Sequence, residues 1–415
     1  MRTILHSDLN NFYATCECLL NPELKDKPVI VCGRVEDRHG IVLAKNYIAK
    51  KAGIKTGMTI YQSKKLAPSL VAVEAHHDLY LEYSQKVKEI YKEYSDRVEG
   101  FGIDEAWIDV SGCTRFIGSG EDIANEIRER IKKEIGLTVS IGVSYNKIFA
   151  KLGSDMKKPD AVTVITKENF KEKVWPLPVE ELLFVGRATK TKLNDMGIFT
   201  IGGLANFDQQ LLKNKFGKCG EKLWAYANGL DISEVKKISE LDEIKSVGNS
   251  VTYYRDMHEI SEVESLFYLL SESVSARMKA YGINQAKTLH INVITKDLEH
   301  TSVQGALPFP TNCSKFIADS AVKLFLKHYD VSVGIRGVGV SVCNFVQDEQ
   351  LMIGEDQCEK DKNLSLDKTI ESLRGRFGKN SVNRAVVLTD ERLRQICPDG
   401  IGISSNSLNK PSQLQ

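Results

Sequence analysis

The stretch Val98 to Gly112, VEGFGIDEAWIDVSG, limits what this chain can fold into more than any other. Apolar and polar residues alternate on either side of two adjacent acids, Asp104 and Glu105. That is the pattern of two strands meeting at a tight turn, with the acids at its tip. Neighbouring side chains on a straight strand point to opposite faces, so the pair can bind one object together only at a turn. Carboxylates held close repel unless cations neutralise them, which makes a metal site the functional expectation. A surface turn rich in acids has the same local sequence.

A third acid favours the metal. Arg2 to Ser7, RTILHS, has the texture of a short strand and runs into Asp8. An acid leaving one strand end, beside an acid pair on a neighbouring hairpin, is the layout of a two-metal nucleotidyl-transfer site. One metal lowers the pKa of an attacking hydroxyl while the other holds a triphosphate and the leaving oxygen. The ligands are all hard oxygens, so the expected ions are two Mg²⁺.

Four stretches, HSDLNNFYATCE, LAKNYIAKKAGIKTGM, GIDEAWIDVSG and SIGVSYNKIFAKLGSDMKKP, follow one another along the chain. In this order and spacing they resemble the Y-family (translesion) DNA polymerases, close to the bacterial DinB/polymerase IV branch. The resemblance implies an α+β, multidomain right-hand polymerase. Its parts are a βαββαβ palm (1–17 and 77–166), small fingers (18–76), a helical helix-hairpin-helix thumb (167–232), a tether (233–244) and an α+β little finger (245–348). A tail (349–415) follows. It further implies low-fidelity, template-directed synthesis past damaged bases, with primer–template DNA and deoxynucleoside triphosphates as partners and no proofreading exonuclease.

Residue by residue, the resemblance gives Asp8, Asp104 and Glu105 the catalytic and metal-binding places, with the Leu9 carbonyl as a further metal ligand. Tyr13 stands where the family excludes a 2′-hydroxyl by contact with the sugar of the incoming nucleotide. Tyr47 and Lys50 stand where the β- and γ-phosphates are met, and Lys158 matches the lysine that meets the triphosphate. Without that context Tyr13 reads as a core aromatic and the lysines as a solvated helix face. Gly186, Lys190 and Gly197 carry the helix-hairpin-helix signal, where backbone amides and lysines grip phosphates without reading sequence. Departures are few. Lys50 replaces a common arginine, a point charge for a fork, and Ala44 replaces Ser or Thr. Asn10 and Asn11 stand where an acid or a small residue is frequent, changes expected to matter little. In the tail, Gln350, Leu351 and Ile353 fit a sliding-clamp motif, but Gly354 stands where an aromatic is expected, so weak clamp contact is implied.

Composition sets the outer bounds. A chain of 415 residues suggests two to four domains. Its net charge of +1 does not announce a nucleic-acid binder, although Lys25 to Lys65 is basic. Nine cysteines without C-x-x-C spacing argue against a disulfide framework or a zinc ribbon. No apolar run approaches the ~20 residues that span a bilayer, so a soluble cytoplasmic protein is expected, and a monomer is expected as well. Ser233 to Ile244 is charged and lacks a core pattern. Leu366 to Phe377 has amphipathic helical spacing without an assignable role, and residues beyond Asp399 read as disordered. A nucleotidyl cyclase on the same palm would need no thumb, tether or little finger, and a non-catalytic scaffold would be expected to have lost one of the three acids.

Overall fold

The structure, a computed structural model, describes residues 2–33, 40–240, 243–346, 355–378, 381–385, 387 and 393. They form two units, residues up to 240 and residues from 243 onward. The architecture is α+β and multidomain.

The first unit opens with β1 (Ile4–Leu9) and α1 (Phe12–Leu20). A small sheet follows, made of β2 (Val29–Cys32), β3 (Val42–Lys45) and β4 (Val71–Glu74) in the order β3-β2-β4. Between β3 and β4 lie α2 (Tyr47–Lys51) and α3 (Ile60–Leu66). Asn46 starts α2 by accepting from the Ala49 amide, and Thr59 with Gln62 makes a capping box on α3. The sequence reading had only the first two of these strands. β4 is half-exposed and four residues long, too short for alternation to mark it.

The chain then returns through α4 (His77–Tyr94), β5 (Val98–Gly100), β6 (Glu105–Asp109), α5 (Gly120–Glu134), β7 (Val139–Ser144), α6 (Lys147–Met156) and β8 (Val162–Ile165). These strands and β1 make one sheet in the order β5-β6-β1-β7-β8, antiparallel except for the β7–β8 pair. β1 is therefore central and buried along its whole length. Leu5 and Leu9 join the core formed with Val87, Ile90 and Tyr91 of α4 and Ile123, Ile127 and Ile131 of α5. On the other face, α6 lies almost on β7. A Cβ at Gly142 would stand 1.9 Å from the Ala150 carbonyl oxygen, so only glycine admits the helix there.

Short helices complete this unit: α7 (Phe170–Val174), α8 (Arg187–Asp195), α9 (Ile201–Ala205), α10 (Gln209–Phe216) and α11 (Lys218–Ala227). Leu182, Leu193, Ile201, Leu204 and Leu223 share one core with Phe149 of α6. The stretch after them, read as a charged tether, begins by lying along the main sheet. Val235 is fully buried against Ile4, Trp107 and Ala150, and the Lys236 amide donates to Glu99 at 3.0 Å. Ile238 and Ile244 in the same run are exposed, so the composition alone does not single out Val235.

The second unit holds β9 (Ser246–Met257), α12 (Ile260–Ala280), β10 (Gln285–Thr295), β11 (His300–Thr311), α13 (Ser314–His328) and β12 (Ile335–Val346). Its antiparallel sheet runs β11-β10-β12-β9, with α12 and α13 packed on it through Leu266, Phe267, Leu270 and Phe325. The tail is joined to this unit. Its helix α14 (Glu355–Phe377) is longer than the Leu366–Phe377 expected, and the apolar ends of that stretch, Leu366 and Phe377, are exposed. Charge holds it instead. Asp367 accepts from the Ser314 amide at 2.9 Å at the start of α13, and Lys279 pairs with Glu371 at 2.7 Å. Arg374 and Arg384 both grip the buried Glu272, at 2.9 and 2.5 Å. Val387 and Leu393 are buried in the same core.

Ending the chain at residue 354 should strand Glu272 as an unpaired buried charge. Breaking such a pair costs roughly 3–5 kcal/mol. A fall in the unfolding temperature of the truncated chain, partly restored by Glu272→Gln, is the expected result. An unchanged melting curve would mean that the tail contributes nothing to this unit.

Candidate active site

The position of β1 between β6 and β7 decides the site. Alternation turns Ile4, His6 and Asp8 towards α6, and Leu5, Ser7 and Leu9 towards α4. Across the strand pair, Asp8 stands opposite Glu105 and His6 opposite Trp107. Asp104 is the last residue of the β5–β6 turn, where Gly102 takes a φ of +92° and the Leu9 amide donates to the Asp104 carbonyl at 3.0 Å. Asp8, Leu9, Asp104 and Glu105 thus meet at one end of the sheet.

Each carboxylate has its own surroundings. Burial, reinforced by the charges of Glu105 and Asp8, pushes Asp104 up to about 6. Burial also raises Asp8, against the pull of Lys158 at 2.8 Å. Glu105 is half-buried, and although that desolvation raises it, His6 and Lys151 hold it well below the usual carboxylate range. His6 is fully buried, and burial lowers it to about 4, so it is neutral at ordinary pH. Its Nδ1 lies 2.8 Å from Ser154 Oγ and its Nε2 3.2 Å from Glu105 Oε2.

Two lysines of the helical stretch enter this acid cluster. Lys151 Nζ stands 2.8 Å from Glu105, 3.4 Å from Asp8 and 3.3 Å from Asp155. Lys158 Nζ stands 2.8 Å from both Asp8 and Asp155. Among the described residues no three His, Cys, Asp or Glu side chains are set to close around a metal ion, and the lysines supply the positive charge beside the acids. The sequence reading missed Lys151, Asp155, His6 and Ser154. The K-x-x-x-D spacing from Lys151 to Asp155 was the available signal, but an i, i+4 pair is ordinary on an exposed helix face.

Tyr13 leaves α1 beside the acids, and its phenol is raised by burial and by Asp104. Its ring stacks on Tyr80 at 4.2 Å between centroids, and Tyr80 in turn donates to the buried Glu17. Tyr47 donates to Asn10 Oδ1 at 3.4 Å, and Lys50 lies 5.8 Å from the Tyr47 ring. The buried Oδ1 of Asn10 also accepts from Ser140 at 2.9 Å and so ties α2 to the main sheet. Gly186 caps the start of α8, while Gly197 turns the chain into α9 with a φ of +78°. Lys190 is paired with Glu180 at 2.5 Å. Gln350, Leu351 and Ile353 lie outside the described residues.

Known proteins agree along the whole length of this arrangement. Residues 7–155 match the impB/mucB/samB family, and residues 244–354 match the C-terminal domain of that family. Residues 181–231 match a family described as the DNA polymerase-iota thumb domain. DNA polymerase IV of Acetivibrio thermocellus is 50% identical over 398 residues, which is 95% of this chain and all of that relative. DNA polymerase IV of Pelotomaculum thermopropionicum is 38% identical over 93% of this chain and 95% of its own. DNA polymerase IV 2 of Bacillus subtilis is 35% identical over 94% and 95%. A solved Y-family DNA polymerase chimera superposes with a TM-score of 0.73, covering 83% of this chain and all of its own at 24% identity, a likeness of fold. Among the described residues no helix is long and apolar enough to cross a membrane. With half its residues shared over nearly the full length of one DNA polymerase IV, the chain belongs to the Y-family of DNA polymerases, in the polymerase IV branch, and is a DNA-directed DNA polymerase.

Proposed function

We infer that this polymerase copies past damaged template bases with low fidelity, joining deoxynucleoside triphosphates to a primer 3′-hydroxyl at Asp8, Asp104 and Glu105 with two Mg²⁺. The meeting of these three acids at one end of β1 and β6, where the Leu9 amide is tied to Asp104, carries the reading. The donors suit the ions. All are hard oxygens, Glu105 stands opposite Asp8 across the strand pair, and Asp104 is raised by burial and then by neighbouring carboxylates that a divalent cation would neutralise. Bound there, Mg²⁺ supplies a more acidic attacking hydroxyl and neutralises charge on the triphosphate. Asp8, Asp104 and Glu105 would hold the ions, with Leu9 beside them offering its carbonyl as a further ligand. Tyr13 screens the sugar, while Tyr47, Lys50 and Lys158 hold the phosphates. Gly186, Lys190 and Gly197 grip the DNA backbone, for which Lys190 must leave Glu180. Gln350, Leu351 and Ile353 dock weakly on the sliding clamp.

A primer ending just before an abasic site tests the lesion part of this reading. Continued synthesis across the site is expected, and arrest there despite normal copying of intact template would refute it. Lys50→Arg should tighten nucleotide binding or leave it unchanged, because a fork can reach two phosphate oxygens. A marked rise in the apparent nucleotide Kd would show a pocket rebuilt around lysine.

A further inference from the structure

We propose that Lys151 is the resident counter-cation of the active site, holding Glu105 and Asp8 in ion pairs that an arriving metal must displace, with Asp155 the carboxylate to which the displaced ammonium retires. This rests on the reading of Asp8, Asp104 and Glu105 as metal ligands.

The geometry has three parts. Lys151 Nζ is within ion-pair distance of all three of Glu105, Asp8 and Asp155, and only 13% of its side chain is exposed. Its reach is fixed by α6, which the bare backbone of Gly142 lets lie against β7. Glu105 Oε2 lies 2.8 Å from that ammonium, a charge-dominated contact that another cation can replace. An ammonium is a point charge on a flexible stem, so it can leave without breaking a fork.

Asp155 completes the device. It sits one helical turn beyond Lys151, is 39% exposed on its side chain, and already touches both Lys151 at 3.3 Å and Lys158 at 2.8 Å. When metals take the oxygens of Asp8 and Glu105, both lysines keep a partner without crossing open solvent. Lys158 is then left beside the place where the triphosphate is proposed to lie. Lys147, one turn earlier on the same helix, pairs with Glu99 at 2.7 Å and serves no such role.

Mn²⁺ binding to the full chain, without DNA or nucleotide and read by electron paramagnetic resonance, tests the proposal apart from activity. Lys151→Met should bind Mn²⁺ about tenfold more tightly, the equivalent of ~1.4 kcal/mol of competition removed, and should melt at lower temperature in chelator. Asp155→Asn should bind more weakly, since the lysines then have nowhere else to go. With Lys151→Met already in place, that weakening should shrink; two fully additive effects would overturn the part given to Asp155. Lys151→Gln serves as a second variant. Unchanged or weaker Mn²⁺ binding by either folded variant overturns the proposal, as does a Lys151 variant that stays unfolded in saturating Mn²⁺. Asp104→Asn separates the two levels of argument. If the unsubstituted chain binds Mn²⁺ no better than Asp104→Asn does, the ligand assignment itself has failed.

Discussion

Asp104→Ala should abolish primer extension, by about 10²–10³-fold or more, while primer–template DNA still binds. Asp104 sits in the β5–β6 turn with its backbone carbonyl fastened to the Leu9 amide at 3.0 Å, so the variant keeps the turn and loses only the carboxylate. On the proposed assignment the loss removes one of the three acids that would hold the metal ions, and the remaining two cannot make up the charge. Burial works in the same direction. The site that pushes Asp104 up to about 6 also screens charge poorly, which magnifies the effect of deleting it. Single-turnover extension beside a DNA-binding measurement separates chemistry from affinity. Substantial extension by Asp104→Ala at ordinary Mg²⁺ would sink the assignment.

Tyr13→Ala should admit ribonucleotides about 10–100-fold more readily while keeping much of the deoxynucleotide activity. Exclusion by contact costs roughly what an overpacked atom costs in a core, ~1–3 kcal/mol. The screen works only if the ring cannot swing aside. Here it is stacked 12° from parallel on Tyr80, whose hydroxyl is anchored on Glu17. Tyr80→Leu, which removes the stack and leaves Tyr13 in place, should therefore loosen sugar choice in the same direction by a smaller factor. Unchanged ribonucleotide exclusion in Tyr13→Ala would place the screen elsewhere.

The parts legible in the sequence share a physical cause. The hairpin around Asp104 and the strand into Asp8 could be read because a sheet buried on one side leaves a period of two, and turn acids interrupt it. The helices from His77, Gly120 and Lys147 could be read because each buries an apolar stripe. What could not be read depends on partners far away in the chain. Lys151 and Asp155 look like a solvated pair until α6 is laid on β7, when Lys151 meets Glu105 and Asp8. His6 looks like one more polar residue in a short strand until the central place of β1 buries it against Ser154. Asn10 looked replaceable because its link to Tyr47 crosses from one sheet region to another. The tail helix misled in a different way. Its apolar spacing was visible, but it docks through Asp367, Glu371 and Arg374, whose partners on α12 and α13 lie far back along the chain.

Primer extension by the full chain on an intact template, with Mg²⁺ or with chelator, tests the central claim most directly. Templated addition of the complementary deoxynucleotide in Mg²⁺, absent in chelator, is the predicted result. A chain that leaves the primer unextended in Mg²⁺, or that extends it equally well in chelator, would contradict the account.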